Sequence, residues 1–220
     1  MLAQRGLAAV FSLLPSAFKL AHSPPLILVD GTALMFRSYF GIPSVKSKSG
    51  TEVNAVAGLS SMLISLLLPT PESVRPTILV VFDSSGPTFR EEIYSAYKAQ
   101  RPPPPVDLGP QFEIAHNMCR AFGWPALTAP GFEADDLIAT MAEVVGPQRP
   151  VIIVSSDKDF MQLVRDENCL MVCPQKRLLY NEEQVLTKLG VPPSLVVDLL
   201  ALMGDSADNI PGRCNFHSLG

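Results

Sequence analysis

Three short apolar runs, each closed by an acid, constrain this 220-residue chain more than any other feature. Leu26-Ile27-Leu28-Val29 runs into Asp30, Ile78-Leu79-Val80-Val81-Phe82 into Asp83, and Val151-Ile152-Ile153-Val154 into Ser155-Ser156-Asp157. Each run has strand length, β-branched content and no polar face, the pattern of strands covered on both sides in a parallel sheet. Helical patterns lie between them: a long apolar stretch from Val53 to Leu68, the recurrence of Phe112, Ala115, Met118, Cys119 and Phe122, and that of Leu137, Ile138, Met141, Ala142 and Val145. This alternation predicts an α/β fold with a mostly parallel central sheet. Ligands of such sheets bind outside the carboxyl ends of the strands, so Asp30, Asp83 and Asp157 are expected on one functional edge.

Six further acids flank helices. Glu133, Asp135 and Asp136 follow Pro130-Gly131-Phe132 and precede the Leu137 helix. Acids in a first helical turn favour the helix dipole by roughly 0.3 to 1 kcal/mol, but three in four residues exceed what capping requires. Glu133 and Asp136, at i and i+3, project to one side of that helix. Asp157 and Asp159 flank Lys158, and an extended chain would put both carboxylates on one face. Asp205 and Asp208 follow a helical Leu195 to Met203 segment and straddle Ser206-Ala207 in a Gly-bearing turn. An oxygen-only set without interleaved His or Cys suits Mg²⁺ or Mn²⁺ better than zinc. Two such ions about 4 Å apart can activate water and support the leaving oxygen of an in-line phosphoryl displacement. Phosphodiester hydrolysis is the leading chemistry.

Basic and aromatic residues gather in the segment from Phe89 to Arg101. If it is one helix, Arg90, Tyr94, Tyr97, Lys98 and Arg101 recur at i, i+4, i+7, i+8 and i+11 and form a single stripe able to stack a base and hold a phosphate. The plainer alternative is a solvated helix with half-buried tyrosines.

In order along the chain, Leu28-Val29-Asp30-Gly31, Val81-Phe82-Asp83, Phe132-Glu133-Ala134-Asp135-Asp136, Ser156-Asp157-Lys158-Asp159 and Gly204-Asp205-Ser206-Ala207-Asp208-Asn209-Ile210-Pro211-Gly212 resemble the 5′→3′ exonuclease domain of bacterial DNA polymerase I and its free-standing relatives in the flap endonuclease superfamily. The resemblance runs from about Leu26 to Gly212. It implies a PIN-like, resolvase-like three-layer catalytic domain over residues 26–181. It also implies a first metal cluster of Asp30, Asp83, Glu133, Asp135 and Asp136 and a second of Asp157, Asp159, Asp205 and Asp208, holding two Mg²⁺ ions with Mn²⁺ as a substitute. Residues 89–101 resemble the family's helical arch, where Lys98 and Arg101 match basic residues at the scissile phosphate and Tyr97 a stacking position. Arg37 matches a family arginine, and Gly50 to Gly58 resembles a Gly-rich helix start that approaches DNA, although Ala57 and Leu59 depart from the usual aromatics. The implied partner is DNA, as 5′ ends, flaps or RNA-primed ends, with no membrane and no obligate protein partner.

Other chemistries fit less well. Cys119, Cys169, Cys173 and Cys214 contain no C-x-x-C pair, against a zinc site. His22, His116 and His217 accompany no nucleophilic serine motif. Val29-Asp30-Gly31-Thr32 resembles the end of the haloacid-dehalogenase signature, but Leu28 stands where that family's nucleophilic aspartate belongs. Charge permits DNA binding: the nine acids leave 21 − 9 = 12 others against 17 Lys and Arg.

The two ends differ from the body. Residues 1–25 carry no acid, and on a helical plot Arg5, Ser12, Ser16 and Lys19 cluster opposite Leu7, Val10, Phe11, Leu14 and Phe18, an organellar presequence pattern. Leu7 to Leu14 also fits the core of a secretory signal, and an incidental extension is the third reading. The Pro-rich stretches at Pro69-Thr70-Pro71 and Pro102 to Pro105 end helices. In the related family, the motif ending at Gly212 continues through further glycines into a helix-hairpin-helix. Here it turns to Arg213-Cys214-Asn215-Phe216-His217-Ser218-Leu219-Gly220, so residues 182–220 are expected to be the start of a truncated DNA-binding module. Two functions follow: a metal-dependent 5′ nuclease acting in an organelle, or a truncated, catalytically weak product that binds metal or nucleic acid without turnover.

Overall fold

The computed structural model describes residue 18, residues 23–67 and residues 76–213. The segment expected to be a presequence, apart from Phe18 and residues 23–25, the Pro69-Thr70-Pro71 stretch and the tail after Arg213 lie outside the described residues.

In chain order the elements are β1 (Leu26–Asp30), α1 (Gly31–Gly41), α2 (Asn54–Leu67), β2 (Thr77–Val81), α3 (Phe89–Ile93), α4 (Gly109–Ala121), β3 (Ala126–Leu127), α5 (Ala134–Val145) and β4 (Val151–Val154). A 3₁₀ turn at Lys158–Leu163 leads to β5 (Cys169–Cys173) and β6 (Leu178–Tyr180). The chain closes with α6 (Glu182–Leu189), α7 (Val196–Met203) and a two-stranded ribbon of β7 (Gly204–Asp205) and β8 (Ile210–Pro211). The main sheet has the order β3-β2-β1-β4-β5-β6, with all pairs parallel except β5 with β6. The three acid-closed runs are therefore neighbours, with β1 in the middle.

That order places a topological switch between β1 and β4. The chain leaves β1 toward β2 and β3 on one side, then crosses back to β4 and β5 on the other. Loops diverge there and open a crevice at the carboxyl edge, where open α/β sheets bind ligands. Asp30 and the Ser155-Ser156-Asp157 segment flank it.

The absence of a polar face on the strands is explained by two cores. Ile27, Val29, Ile78, Val80, Ile152 and Val154 pack beneath α1, α2 and α4. The alternate residues Leu26, Leu28, Val81, Val151 and Ile153 pack beneath α5, together with Val185 of α6 and Val196 of α7. This is the three-layer arrangement, with period-two alternation delivering successive side chains to opposite layers. Part of the segment expected to begin a separate module, Val185 and Val196, is thus built into the second core.

Two local expectations are corrected. Residues 89–101 are not one helix: α3 stops at Ile93, Tyr94 takes extended backbone (φ −141, ψ 96), and turns follow. The stripe of Arg90, Tyr94, Tyr97, Lys98 and Arg101 therefore does not form: Arg90 stays on α3 and Tyr94 is exposed beyond its end, while Tyr97, Lys98 and Arg101 lie past the helix and pair with the acidic edge. The extended chain ends at Asp157, which caps the 3₁₀ turn beginning at Lys158 and accepts the Asp159 N–H at 2.9 Å, so Asp157 and Asp159 do not sit on one face of a strand. A capping carboxylate accepts from the first N–H groups of the turn, which have no backbone partner within it.

Candidate active site

Capping positions the inner acids. Asp30 closes β1 and caps α1, one oxygen accepting the Ala33 N–H at 2.9 Å and the other the Ser155 hydroxyl at 2.8 Å. The second bond spans the switch point, since Ser155 follows β4. Asp83 follows β2 and accepts the first N–H of α5, from Ala134, at 2.7 Å. Its own N–H donates to the Thr32 hydroxyl at 2.8 Å. Neither Ser155 nor Thr32 was singled out in the sequence, although both sit beside an acidic motif.

Among the described residues none of the inner acids, Asp30, Asp83, Asp135, Asp157 and Asp159, forms an ion pair, although Lys98 and Lys158 partly offset the charge at Asp135 and Asp159. Burial pushes Asp30 up to about 6, and the Asp83 and Asp157 charges add to it against its two hydrogen bonds. Asp135, in the first turn of α5, is pushed up to about 8, first by burial and then by Asp30, Asp157 and Asp83, with Lys98 opposing. Asp159 is pushed up to about 6 by burial and Asp157, and its buried Oδ1 has no hydrogen-bond partner among the described residues. Charge is thus held together at an energetic cost that a bound cation would remove.

The remaining four acids face cations. Glu133 caps α5 and accepts the Lys98 ammonium at 2.7 Å and the Tyr97 hydroxyl at 2.9 Å. Asp136 takes Arg90 in a two-pronged pair at 2.8 and 2.7 Å. Asp205 meets Lys158 at 3.1 Å. Asp208 accepts the Arg101 guanidinium and, at 3.1 Å, the Tyr97 hydroxyl. Tyr97 is buried, so it bridges Glu133 and Asp208 rather than offering a stacking face. Burial, followed by those two acids, pushes its hydroxyl far above the ordinary range and keeps it a donor.

Contact therefore sorts the nine acids by environment. Asp30, Asp83, Asp135, Asp157 and Asp159 press on one another, while Glu133, Asp136, Asp205 and Asp208 are paired with Lys98, Arg90, Lys158 and Arg101. Among the described residues no three acidic, His or Cys side chains meet closely enough to hold an ion as they stand. The inner group nevertheless fits a hard cation: its donors are all oxygens, it has excess charge, and Asp159 carries an orphaned buried oxygen. Arg37 lies apart, in an open groove of about 670 Å³ shared with Phe40, Met62 and Arg177, which none of the nine acids lines. Tyr94 is partly exposed beyond the end of α3.

Comparison with known proteins places this geometry. A family profile described as "5′-3′ exonuclease, N-terminal resolvase-like domain" matches residues 25–190. The chain is 43% identical to DNA polymerase I of Pseudomonas aeruginosa over 86% of its length, covering 20% of that protein. It is 41% identical to a 5′-3′ exonuclease of Aquifex aeolicus over 85% of its length, covering 64% of that protein. It thus spans less than two thirds of either relative. Among solved structures, a bacteriophage T5 flap endonuclease in a pseudo-enzyme-product complex with DNA and metal ions superposes with a TM-score of 0.65 and 27% identity, over 86% of this chain and 69% of that one.

Proposed function

Because the chain belongs to the 5′-3′ exonuclease family that shares this N-terminal resolvase-like domain, we propose that it is a divalent-metal-dependent 5′ nuclease cleaving DNA phosphodiesters at 5′ ends and flaps. The carrying observation is the unneutralised group of Asp30, Asp83, Asp135, Asp157 and Asp159 at the β1/β4 switch point, with Lys98 and Arg101 pairing acids at its border. Mg²⁺ held by that group would supply Lewis-acid polarisation of the phosphate and a water of lowered pKa.

The chain's own residues do the rest. Ser155 and the Ala33 and Ala134 N–H groups hold the Asp30 and Asp83 carboxylates in fixed orientations, so little reorganisation accompanies reaction. Lys98 and Arg101, now on Glu133 and Asp208, exchange those acids for the phosphate and neutralise its developing charge. Arg37 and Arg90 contribute backbone contacts that are independent of sequence. The setting that suits this activity is flap or RNA-primer removal in DNA replication and repair. Residues 1–25, acid-free and amphipathic, support import into a mitochondrion or plastid, and a fluorescent reporter fused behind them tests it.

The primary test is cleavage of a 5′-flap DNA with Mg²⁺ by the chain and by an Asp157→Ala, Asp159→Ala double variant. Binding without cleavage above the variant would overturn the nuclease reading in favour of a binding protein. Lys98→Ala should slow single-turnover cleavage by about a hundredfold or more while changing DNA affinity only slightly. An equal loss in both would make Lys98 a binding residue.

A further inference from the structure

A second network sits where the Tyr97–Arg101 segment crosses the Asp205–Asn209 turn. Both segments place a non-glycine residue in the left-handed backbone region at the crossing, Lys98 at φ 53 and Asn209 at φ 60. Such conformations persist where the surroundings over-determine them, and here the surroundings are each other. The Lys98 N–H donates to the Asp208 carbonyl at 3.0 Å. In return the Asn209 side-chain amide donates to the Ala96 carbonyl at 2.8 Å. The Gln100 amide donates to the Ser206 and Ala207 carbonyls at 3.0 and 3.1 Å, and Arg101 Nε joins the second of these at 3.1 Å.

The pattern is informative for its asymmetry. The turn needs no amide from Asn209 for its own closure, since Ala207 N–H already bonds the Asp205 carboxylate at 2.8 Å and Asp208 N–H the Asp205 carbonyl at 3.2 Å. The Asn209 and Gln100 side chains are directed wholly across the crossing. They are also exposed, so they bury no apolar surface and hold no core together.

We infer that Gln100 and Asn209 are positioning residues that clamp the Lys98–Arg101 segment to the Asp205–Asp208 turn, so that the phosphate-facing cations and the last two acids move as one body. The inference rests on the nuclease reading. Without the clamp, Lys98 relaxes from its left-handed backbone and its ammonium samples positions away from the phosphate. A displacement of about 1 Å at such a group costs up to roughly a hundredfold in rate.

The test is a double-mutant cycle on the full chain. Asn209→Gly removes the amide and keeps the left-handed backbone, while Gln100→Ala removes the other side of the clamp. Single-turnover cleavage of a 5′-flap DNA is measured with Mg²⁺, and affinity with Ca²⁺ in its place. Each variant should lose about tenfold or more in rate with affinity within about twofold and an unchanged melting temperature. Combined with Lys98→Ala, each should lower the rate by less than it does alone, because part of the clamp's effect runs through Lys98. Losses that multiply with Lys98→Ala, or that fall equally on affinity, overturn the positioning role while leaving the nuclease reading intact. Failure of the unmutated chain to cleave overturns both.

Discussion

Asp135→Asn removes one charge from the group formed with Asp30, Asp83 and Asp157 while preserving the side chain's size. In the fold the Asp135 carboxyl is pushed from 3.8 up to about 8, by burial and then by Asp30, Asp157 and Asp83. The folded chain thus holds that proton more tightly than the unfolded one. Its stabilising contribution is fully present below about pH 3.8 and is lost as pH rises through about 8. At about 1.4 kcal/mol per pH unit, that interval sets a ceiling of roughly 5 kcal/mol at pH 8. The edge is partly open to water and neighbouring acids share the protonation, so screening brings the working figure to about 1 to 2 kcal/mol. One kcal/mol moves the Tm of a chain this size by about 2 to 4 °C. In EDTA at pH 8, Asp135→Asn should therefore melt about 2 to 8 °C above the unmutated chain by scanning fluorimetry. At pH 5 the gap should shrink to about a third. Adding Mg²⁺ at pH 8 should raise the Tm of the unmutated chain more than that of the variant, and the variant should not cleave. A variant that melts at or below the unmutated chain at pH 8 without metal would refute the claim that burial and the neighbouring acids, rather than a hidden partner, set the state of Asp135.

Three further outcomes are expected. Gly58→Ala in α2 would drive a methyl into Ser38 and to 2.7 Å from Ile42 Cδ1, so it should cost about 1 to 3 kcal/mol as overpacking and lower Tm by several degrees. Gly41→Ala, which meets nothing within 4 Å, should be nearly neutral. Burial pushes the Cys169 thiol up to about 12 and that of Cys119 to about 11, so in a Cys214→Ser background neither should react with Ellman's reagent at pH 8 until denaturant is added; rapid labelling of the native chain would contradict their burial.

The strands β1, β2 and β4 were legible because a fully covered strand has no polar face, and each was marked by an acid at its end. Cys169-Leu170-Met171-Val172-Cys173 is as apolar and forms β5, but no acid follows it to mark its end. The two-residue strands β3, β7 and β8 are created by pairing and carry no pattern of their own. The helices α2, α4, α5 and α7 were legible from apolar periodicity. Spacing misread residues 89–101, because period alone cannot register that Tyr94 turns extended and that Lys98 finds its backbone partner in Asp208.

By itself the sequence determined which side chains reach the carboxyl edge, since period-two strands and first-turn caps fix direction from local chemistry alone. It thereby established an oxygen-only acidic site on an α/β sheet. Which acids repel and which are paired was a tertiary decision. The strand order brings Asp157 beside Asp30 and Asp135, and the crossing of Tyr97–Arg101 over Asp205–Asn209 gives Glu133 and Asp208 to Lys98, Tyr97 and Arg101. Coulomb interactions depend on distance in space, and distance along the chain carries no record of it.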